Sequence, residues 1–519
     1  MPAPQPLLTW LRRPENPQRL ARVTLLVFFA WLAGRFWHPY YGFTRFLQMD
    51  AASLATTLPE LRAAPIFTYD AGYDGHYYAQ LAARPLVHDP ALAGAIDSVG
   101  YRARRMLLSW TAWVVGGGDA VRAVRAYAWL NLVVWAALAA LLWEIFPARS
   151  WRETAAWGGM LFSAGALHSV RLALTDLLAL LLVAGAAWRT SQGKRGVAAA
   201  CLGLGGLARE TALLGAITLL PEGRPKLRDV LRAAILGALV ALPLVLWLLY
   251  LRATLGWTEP GMGNFALPAM GWAQKWGEAW ARLRTEPDRY LALTTLLAHV
   301  ALTVQLVFLL VKPKPADHWW RLGAVYAALL FFLGTAVWEG HPGAASRVLL
   351  PLALAFNVLA VRARAAAGWF VLGNLSVLSG VLIFWQVPQG DREVAAGRSF
   401  VAHVDERWQQ PEHGRRQTWV WSGTEGGLRI DFSPRREEPV NVRLALRGMT
   451  PRPLEILQAG RVVWAGNVGA AVQWVELPAL GATSGRLQLE FHSPAAPVRE
   501  NAAPGARELG FALYGVRVD

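Results

Sequence analysis

YDAGYDGHYYAQLAARPLVHDPALAGAIDSVGYRARR, Tyr69 to Arg105, is the densest collection of acids, arginines and tyrosines in an otherwise apolar chain. Its first residues carry the acids Asp70 and Asp74, and its end carries Arg102, Arg104 and Arg105. Working outward, RMLLSWTAWVV (105–115) is too short to cross a bilayer and runs into the break Gly117-Gly118-Asp119. It is read as an amphipathic helix in the membrane interface, a depth that suits Trp110 and Trp113. On the other side lies the first apolar run, about 21–37. The acidic and arginine-rich stretch is therefore a loop at a membrane surface, and that decides the fold class.

The rest of the chain agrees. Of 519 residues 55% are hydrophobic, the mean hydropathy is +0.29, and several apolar runs reach spanning length. The expected fold is a polytopic α-helical membrane protein. The net charge of +16 does not indicate nucleic acid, because the basic residues cluster between apolar runs where cytoplasmic loops carry them. The one cysteine, Cys201, cannot form an internal disulfide. The first run follows Arg12, Arg13, Arg19 and Arg22 without a clean cleavage site, so it reads as a retained span.

Spans are expected at about 22–38, 122–145, 153–168, 172–188, 196–208, 210–221, 230–252, 289–311, 322–338, 348–361 and 366–385, eleven in all. Basic residues recur in alternate connections: Arg149 and Arg152; Arg189, Lys194 and Arg195; Arg224, Lys226 and Arg228; Lys312, Lys314 and Arg321; Arg362 and Arg364. Eleven spans place them all with a cytoplasmic N-terminus, as the positive-inside tendency requires. The loops 39–121 and 253–288, the turn 339–347 and everything after about 386 then lie outside the cytoplasm. The loop 253–288 carries Trp257, Pro260, Gly261, Gly263, Asn264, Phe265 and Pro268, then Trp272, Trp276 and Trp280 at helical spacing. It reads as a covering loop and a second interfacial helix.

Composition changes after Trp385. The expected domains are a transmembrane unit (1–386), a polar linker (387–417) and an extracytoplasmic β-sandwich (418–519). In the last, short alternating runs such as VNVRLAL and GRLQLEFHS are separated by Pro and Gly turns.

Polar groups inside apolar spans cost roughly 2.5–3.5 kcal/mol each on insertion scales and need a reason. They occur as His168, Arg171 and Asp176, as Arg209 and Glu210, and as Glu339, His341 and Arg347. On the eleven-span reading all three sets emerge on the face that holds Asp70, Asp74 and the Arg102–Arg105 cluster. Pairing within the bundle would explain any one set alone; their convergence points to a site. A carboxylate there can take a hydroxyl proton, and arginines can grip a phosphate bidentately. Together they suggest chemistry on a lipid-linked phosphate.

The order of one span, a long acidic outer loop, an interfacial helix and a many-span bundle resembles the GT-C superfamily of membrane glycosyltransferases. The motifs are GYDGHYYAQLA (72–82), YRARRMLL (101–108), TDLLALLL from Thr175, LARETALL from Leu207 and SRVLLPLAL from Ser346. The Asp-Gly core is similar to the Trp-Asp-Gly of lipid-anchor mannosyltransferases, and the C-terminal region resembles the β-sandwich of some bacterial members. The resemblance implies an inverting transfer of a sugar from a polyprenyl phosphate to a glycan or lipid acceptor, outside a bacterial cytoplasmic membrane. It implies Asp74 as the base, with Asp70 second and Asp50 third. Arg102, Arg105, Arg347 and Arg209 are the candidates for the donor phosphate. Glu210 and Glu339 are read as orienting arginines or binding sugar hydroxyls, with His168 beside them. Tyr73, His76, Tyr77 and Tyr78 are candidates to line the sugar site, packing of an interfacial helix being the alternative for two of the four.

Departures narrow the branch. No His-Pro-Pro stretch follows the first-loop acid, no set of acids suggests a metal, and no nucleotide-binding Gly-rich loop or DxD sequence appears. The reaction is expected to need no metal or other cofactor, and the partners are membrane lipid, the lipid-linked sugar and its acceptor. A polyprenyl-linked glycan polymerase or ligase is the alternative, although its large outer loop should come late in the chain. A lipid-linked sugar transporter is a third reading, but it should show internal repeats.

Overall fold

The computed structural model describes residues 16–221, 226–256, 262–286, 289–388, 392–414, 418–436, 438–503 and 505–519. Arg12, Arg13, Arg224, Trp257, Pro260 and Gly261, which entered the topology and covering-loop readings, lie outside the described residues. The chain divides into two compact units, Met1–Phe36 with Phe43–Val387, and Trp37–Gly42 with Pro388–Asp519.

The first unit is helical. It opens with α1 (Asn16–Gly34), followed by the first loop. In that loop β1 (Met49–Asp50) pairs in parallel with β2 (Thr68–Tyr69). The longer helices that follow are α2 (Gly75–Ala83), α3 (Leu107–Val115) and α4 (Ala120–Ile145). The bundle continues through α5 (Trp151–Leu161), α6 (Ala164–Arg171), α7 (Asp176–Ser191) and α8 (Arg195–Ala208), then a 3-10 helix (Glu210–Leu219). It closes with α9 (Leu227–Leu255), α10 (Met270–Thr285), α11 (Tyr290–Val311), α12 (His318–Phe332), α13 (Leu350–Arg362), α14 (Ala367–Gly373) and α15 (Ser376–Trp385).

Among the described residues, four helical segments are long and apolar enough to cross a membrane: α4, α9, α11 and the segment Ala367–Trp385. At 1.5 Å per residue, the 26 residues of α4 reach about 39 Å, more than a hydrocarbon core of roughly 30 Å. Of the other expected spans, the first is the 19-residue α1 and the rest are shorter helices. The expected span 153–168 is two pieces, α5 and α6, because Ser163 caps a new helix by accepting from the Ala166 amide. The carbonyl of Leu161, freed at that break, is taken by Trp135 Nε1 at 2.9 Å. Sequence signals set other ends: Asp119 caps α4, and Ser150 with Glu153 forms a capping box on α5.

The second unit is two β-sheets. It consists of β3 (Glu393–Ala396), β4 (Phe400–Val404), β5 (Glu412–His413), β6 (Thr418–Ser422), β7 (Glu425–Phe432), β8 (Val442–Gly448), β9 (Arg452–Gln458), β10 (Arg461–Val468), β11 (Gln473–Glu476), β12 (Arg486–His492), β13 (Val498–Arg499), β14 (Glu508–Leu509) and β15 (Phe511–Val518). The sheet orders are β10-β9-β12-β7-β4-β3 and β11-β8-β15-β6-β5, with β13-β14 as a small ladder. Alternation places Leu428, Ile430, Leu444, Leu446, Leu487, Leu489, Phe511 and Leu513 in one core.

The expected linker 387–417 is corrected here: it supplies β3 and β4 to the six-stranded sheet and β5 to the other. Its charges hide the inward row Phe400, Ala402 and Val404. Its Trp408 is a core residue, stacked edge-on against Phe491 and Phe511 and donating to the Gly427 carbonyl. Arg392 ties the segment down through the carbonyls of Asp405 and Trp408, 2.8 Å each. The six residues after Phe36, expected to open the first outer loop, also belong to this unit, where His38 meets Glu393 at 2.9 Å.

Candidate functional site

The first loop is fixed to the bundle by close backbone approach. A Cβ on Gly75 would run into the carbonyl oxygens of Leu172 and Leu47, so only glycine lets the start of α2 rest against the turn between α6 and α7. That turn is itself held by Asn131 of α4, whose Nδ2 donates to the carbonyls of Leu174 (2.9 Å) and Ser169 (3.2 Å). Gly72 is similarly pressed against Asp50. Asp50 accepts from the Ser53 amide (2.7 Å) and hydroxyl (2.8 Å), capping a short helix. Burial pushes its carboxyl up, but the Ser53 bonds outweigh this and leave it below the usual range. Asp50 is a structural cap and does not line the site.

Asp74 sits immediately before α2 and does not cap it. It turns instead into a cavity of about 670 Å³. Asp74 Oδ2 lies 2.6 Å from Arg102 Nη1. Asp97 grips the same guanidinium from its other side, Oδ1 at 3.0 Å from Nε and Oδ2 at 2.7 Å from Nη2. Burial opposes the charge on Arg102, yet Asp97, Tyr78 and Asp74 together raise its pKa above the ordinary value. In turn Asp97 is pushed up by burial but held below the usual carboxylate range by Arg102. The ring of Tyr77 stacks on the same guanidinium at 5.2 Å.

Arg105 is equally committed. Its Nε donates to Glu210 (2.9 Å), Nη1 to the Tyr78 hydroxyl (3.1 Å) and Nη2 to the Tyr101 hydroxyl (3.3 Å). Burial would lower its pKa, but Glu210 and the two tyrosines hold it well above the ordinary value. Tyr101 also accepts from Asn264 (3.1 Å). Asp176, 4% exposed, lines the same cavity; it receives Arg209 through a short contact and lies 3.7 Å from Arg347 Nε. Arg347 Nη2 donates to the Tyr73 hydroxyl at 3.1 Å.

Nine of the expected residues thus line one cavity: Tyr73, Asp74, Tyr78, Arg102, Arg105, Arg209, Glu210, Glu339 and Arg347. Four do not. Asp70 is exposed on the loop, and His168 is half-buried with its Nδ1 unbonded. His76 is buried behind Asp74, where desolvation pushes its pKa down to about 4. Tyr77 supports Arg102 from outside the lining. Sequence reasoning missed Asp97, whose signal was its place five residues before Arg102, and placed Asp176 with His168 and Arg171 among the polar groups converging on the site without giving it a role. Among the described residues no group of three or more His, Cys, Asp or Glu could hold a metal ion.

No family model matches the chain, and no curated protein does. Among solved structures it is similar to the arabinosyltransferase EmbB from Mycobacterium smegmatis, with 12% identity over 85% of this chain and 62% of that chain, at a TM-score of 0.20. The chain therefore spans less than two thirds of that protein's length, and a superposition of this extent carries no argument about the site.

Proposed function

We propose that the chain is an inverting membrane glycosyltransferase of the GT-C type, moving a sugar from a polyprenyl-phosphate donor to a glycan or lipid acceptor. The observation that carries this reading is the lining of one cavity by Asp74 and five arginines, with tyrosine hydroxyls between them. In the reaction Asp74 takes the proton of the acceptor hydroxyl as its oxygen attacks the anomeric carbon. The bond from that carbon to the phosphate oxygen breaks, the electron pair leaves with the phosphate, and arginine holds the charge that develops. One base opposite the leaving group inverts the anomeric centre. The topology that fits is eleven spans in a bacterial cytoplasmic membrane, N-terminus inside, with the cavity and the β-sheet unit outside.

The test is sugar transfer by the full chain in nanodiscs with an extract of polyprenyl-linked sugars, comparing wild type, Asp74→Asn and Asp70→Asn. Asp74→Asn is expected to lose about 10²- to 10⁴-fold in rate while donor binding survives. Asp70→Asn keeps wild-type rate, since its side chain does not line the cavity. Equal rates in all three proteins, or movement of lipid-linked sugar across vesicles without transfer, would overturn the assignment.

A further inference from the structure

We propose that the cavity divides its arginines: a phosphate ester is held by Arg209 and Arg347 around Asp176, while Arg102 and Arg105 are positioning residues that do not touch it. This rests on the reading above that the ligand carries a phosphate, and it narrows the sequence expectation that grouped all four arginines together.

The first ground is local charge. Arg102 stands between two carboxylates, Asp74 and Asp97, so that corner carries one negative charge in excess. Arg105 and Glu210 balance each other. Around Asp176 two arginines share one carboxylate, leaving one positive charge in excess where Asp176 is 4% and Arg347 5% exposed. Two buried cations sharing one carboxylate are less fully compensated than a matched pair, and an entering anion completes the balance.

The second ground is unspent donors. Every guanidinium nitrogen of Arg102 is engaged by Asp97 or Asp74, and every one of Arg105 by Glu210, Tyr78 or Tyr101. Arg347 Nε and Nη1 and Arg209 Nε are buried with no hydrogen-bond partner. The 3.7 Å from Arg347 Nε to Asp176 is too long to count as one. Phosphate oxygens suit such free guanidinium donors.

The third ground is the arrangement. Tyr73 contacts Arg347 and the next residue, Asp74, contacts Arg102, so one dipeptide joins an electropositive locus to an electronegative one. An inverting displacement needs the leaving phosphate and the base on different sides of the sugar, and two adjacent loci of opposite charge can supply one each.

The experiment is equilibrium binding to the full chain in nanodiscs, with polyprenyl phosphate, inorganic phosphate and uncharged polyprenol as probes. Arg347→Gln and Arg209→Gln should each weaken polyprenyl phosphate about tenfold or more, the scale of a lost charge-assisted bond, and leave polyprenol unchanged. Arg347→Lys keeps the charge but loses the fork, so an intermediate loss is expected even if the Gln protein folds poorly. Arg102→Gln and Arg105→Gln should bind polyprenyl phosphate within about twofold of wild type, yet lower kcat with little change in KM. Inorganic phosphate that competes only when Arg347 is present places recognition in the phosphate group itself. Equal or greater loss of binding in the Arg102 or Arg105 variant, no loss in the Arg347 variants, or competition by polyprenol alone overturns the division. A chain that binds polyprenyl phosphate through Arg347 but transfers no sugar keeps this subsite and loses the enzymatic reading.

Discussion

Asp97→Asn is the most informative substitution away from Asp74, because Asp97 touches the proposed base only through Arg102. The wild-type carboxylate makes two charge-assisted bonds to that guanidinium, at 3.0 and 2.7 Å, and Arg102 passes its third nitrogen to Asp74 at 2.6 Å. Bonds to charged groups contribute roughly 1.5–3 kcal/mol each when buried. The Asp97 side chain is 42% exposed, so solvent screening discounts the pair to about 1–2 kcal/mol in total. An amide keeps the shape and one acceptor but loses the charge, and Arg102 can then rotate toward Asp74 and hold its carboxylate away from the acceptor. Transfer should fall about 5- to 30-fold in kcat, with KM for the donor within about twofold. The assay is steady-state transfer by the full chain in nanodiscs over a range of donor concentrations. An unchanged kcat, or a raised KM at constant kcat, would refute the idea that Asp97 acts through Arg102 on the base.

Two further outcomes follow from the packing behind the site. Buried His76 has a folded pKa of about 4 against an ordinary 6.5, so its contribution is present above pH 6.5 and is lost as the pH falls toward 4. That loss is on the order of 3 kcal/mol. Thermal unfolding in nanodiscs should show it, and His76→Gln should flatten the dependence; an unflattened curve assigns the loss to other groups. Gly75→Ala places a methyl against the Leu172 and Leu47 carbonyls and should cost about 1–3 kcal/mol. Because Asp74 is its neighbour, transfer should drop with it, and a fully active, equally stable variant would show that the turn yields.

Much of the architecture was legible in the chain, because apolar periodicity is a local property. The first-loop helix after Asp74, the short helix 107–115, the helix carrying Trp272 and Trp276, and the inward rows of β8 and β12 all follow from residues within a few positions of one another. The sequence also brought Asp74, Arg102, Arg105, Arg209, Glu210, Glu339 and Arg347 forward as candidates, since charges beside apolar runs are conspicuous. Less legible was the stretch 392–408, where six charged residues masked strands and a core tryptophan, and the break at Ser163, which one capping hydroxyl decides.

Only the tertiary structure assigned partners. Arg105 meets Glu210 across 105 positions, and Arg347 meets Tyr73 across 274. Nothing local in the chain distinguishes an arginine whose nitrogens are all engaged from one with donors left over. Sequence by itself determined that a carboxylate and several arginines lie at the ends of apolar helices. Packing determined which arginine neutralises which acid, because a charge interaction depends on distance and burial, and both arise only when segments far apart in sequence come together.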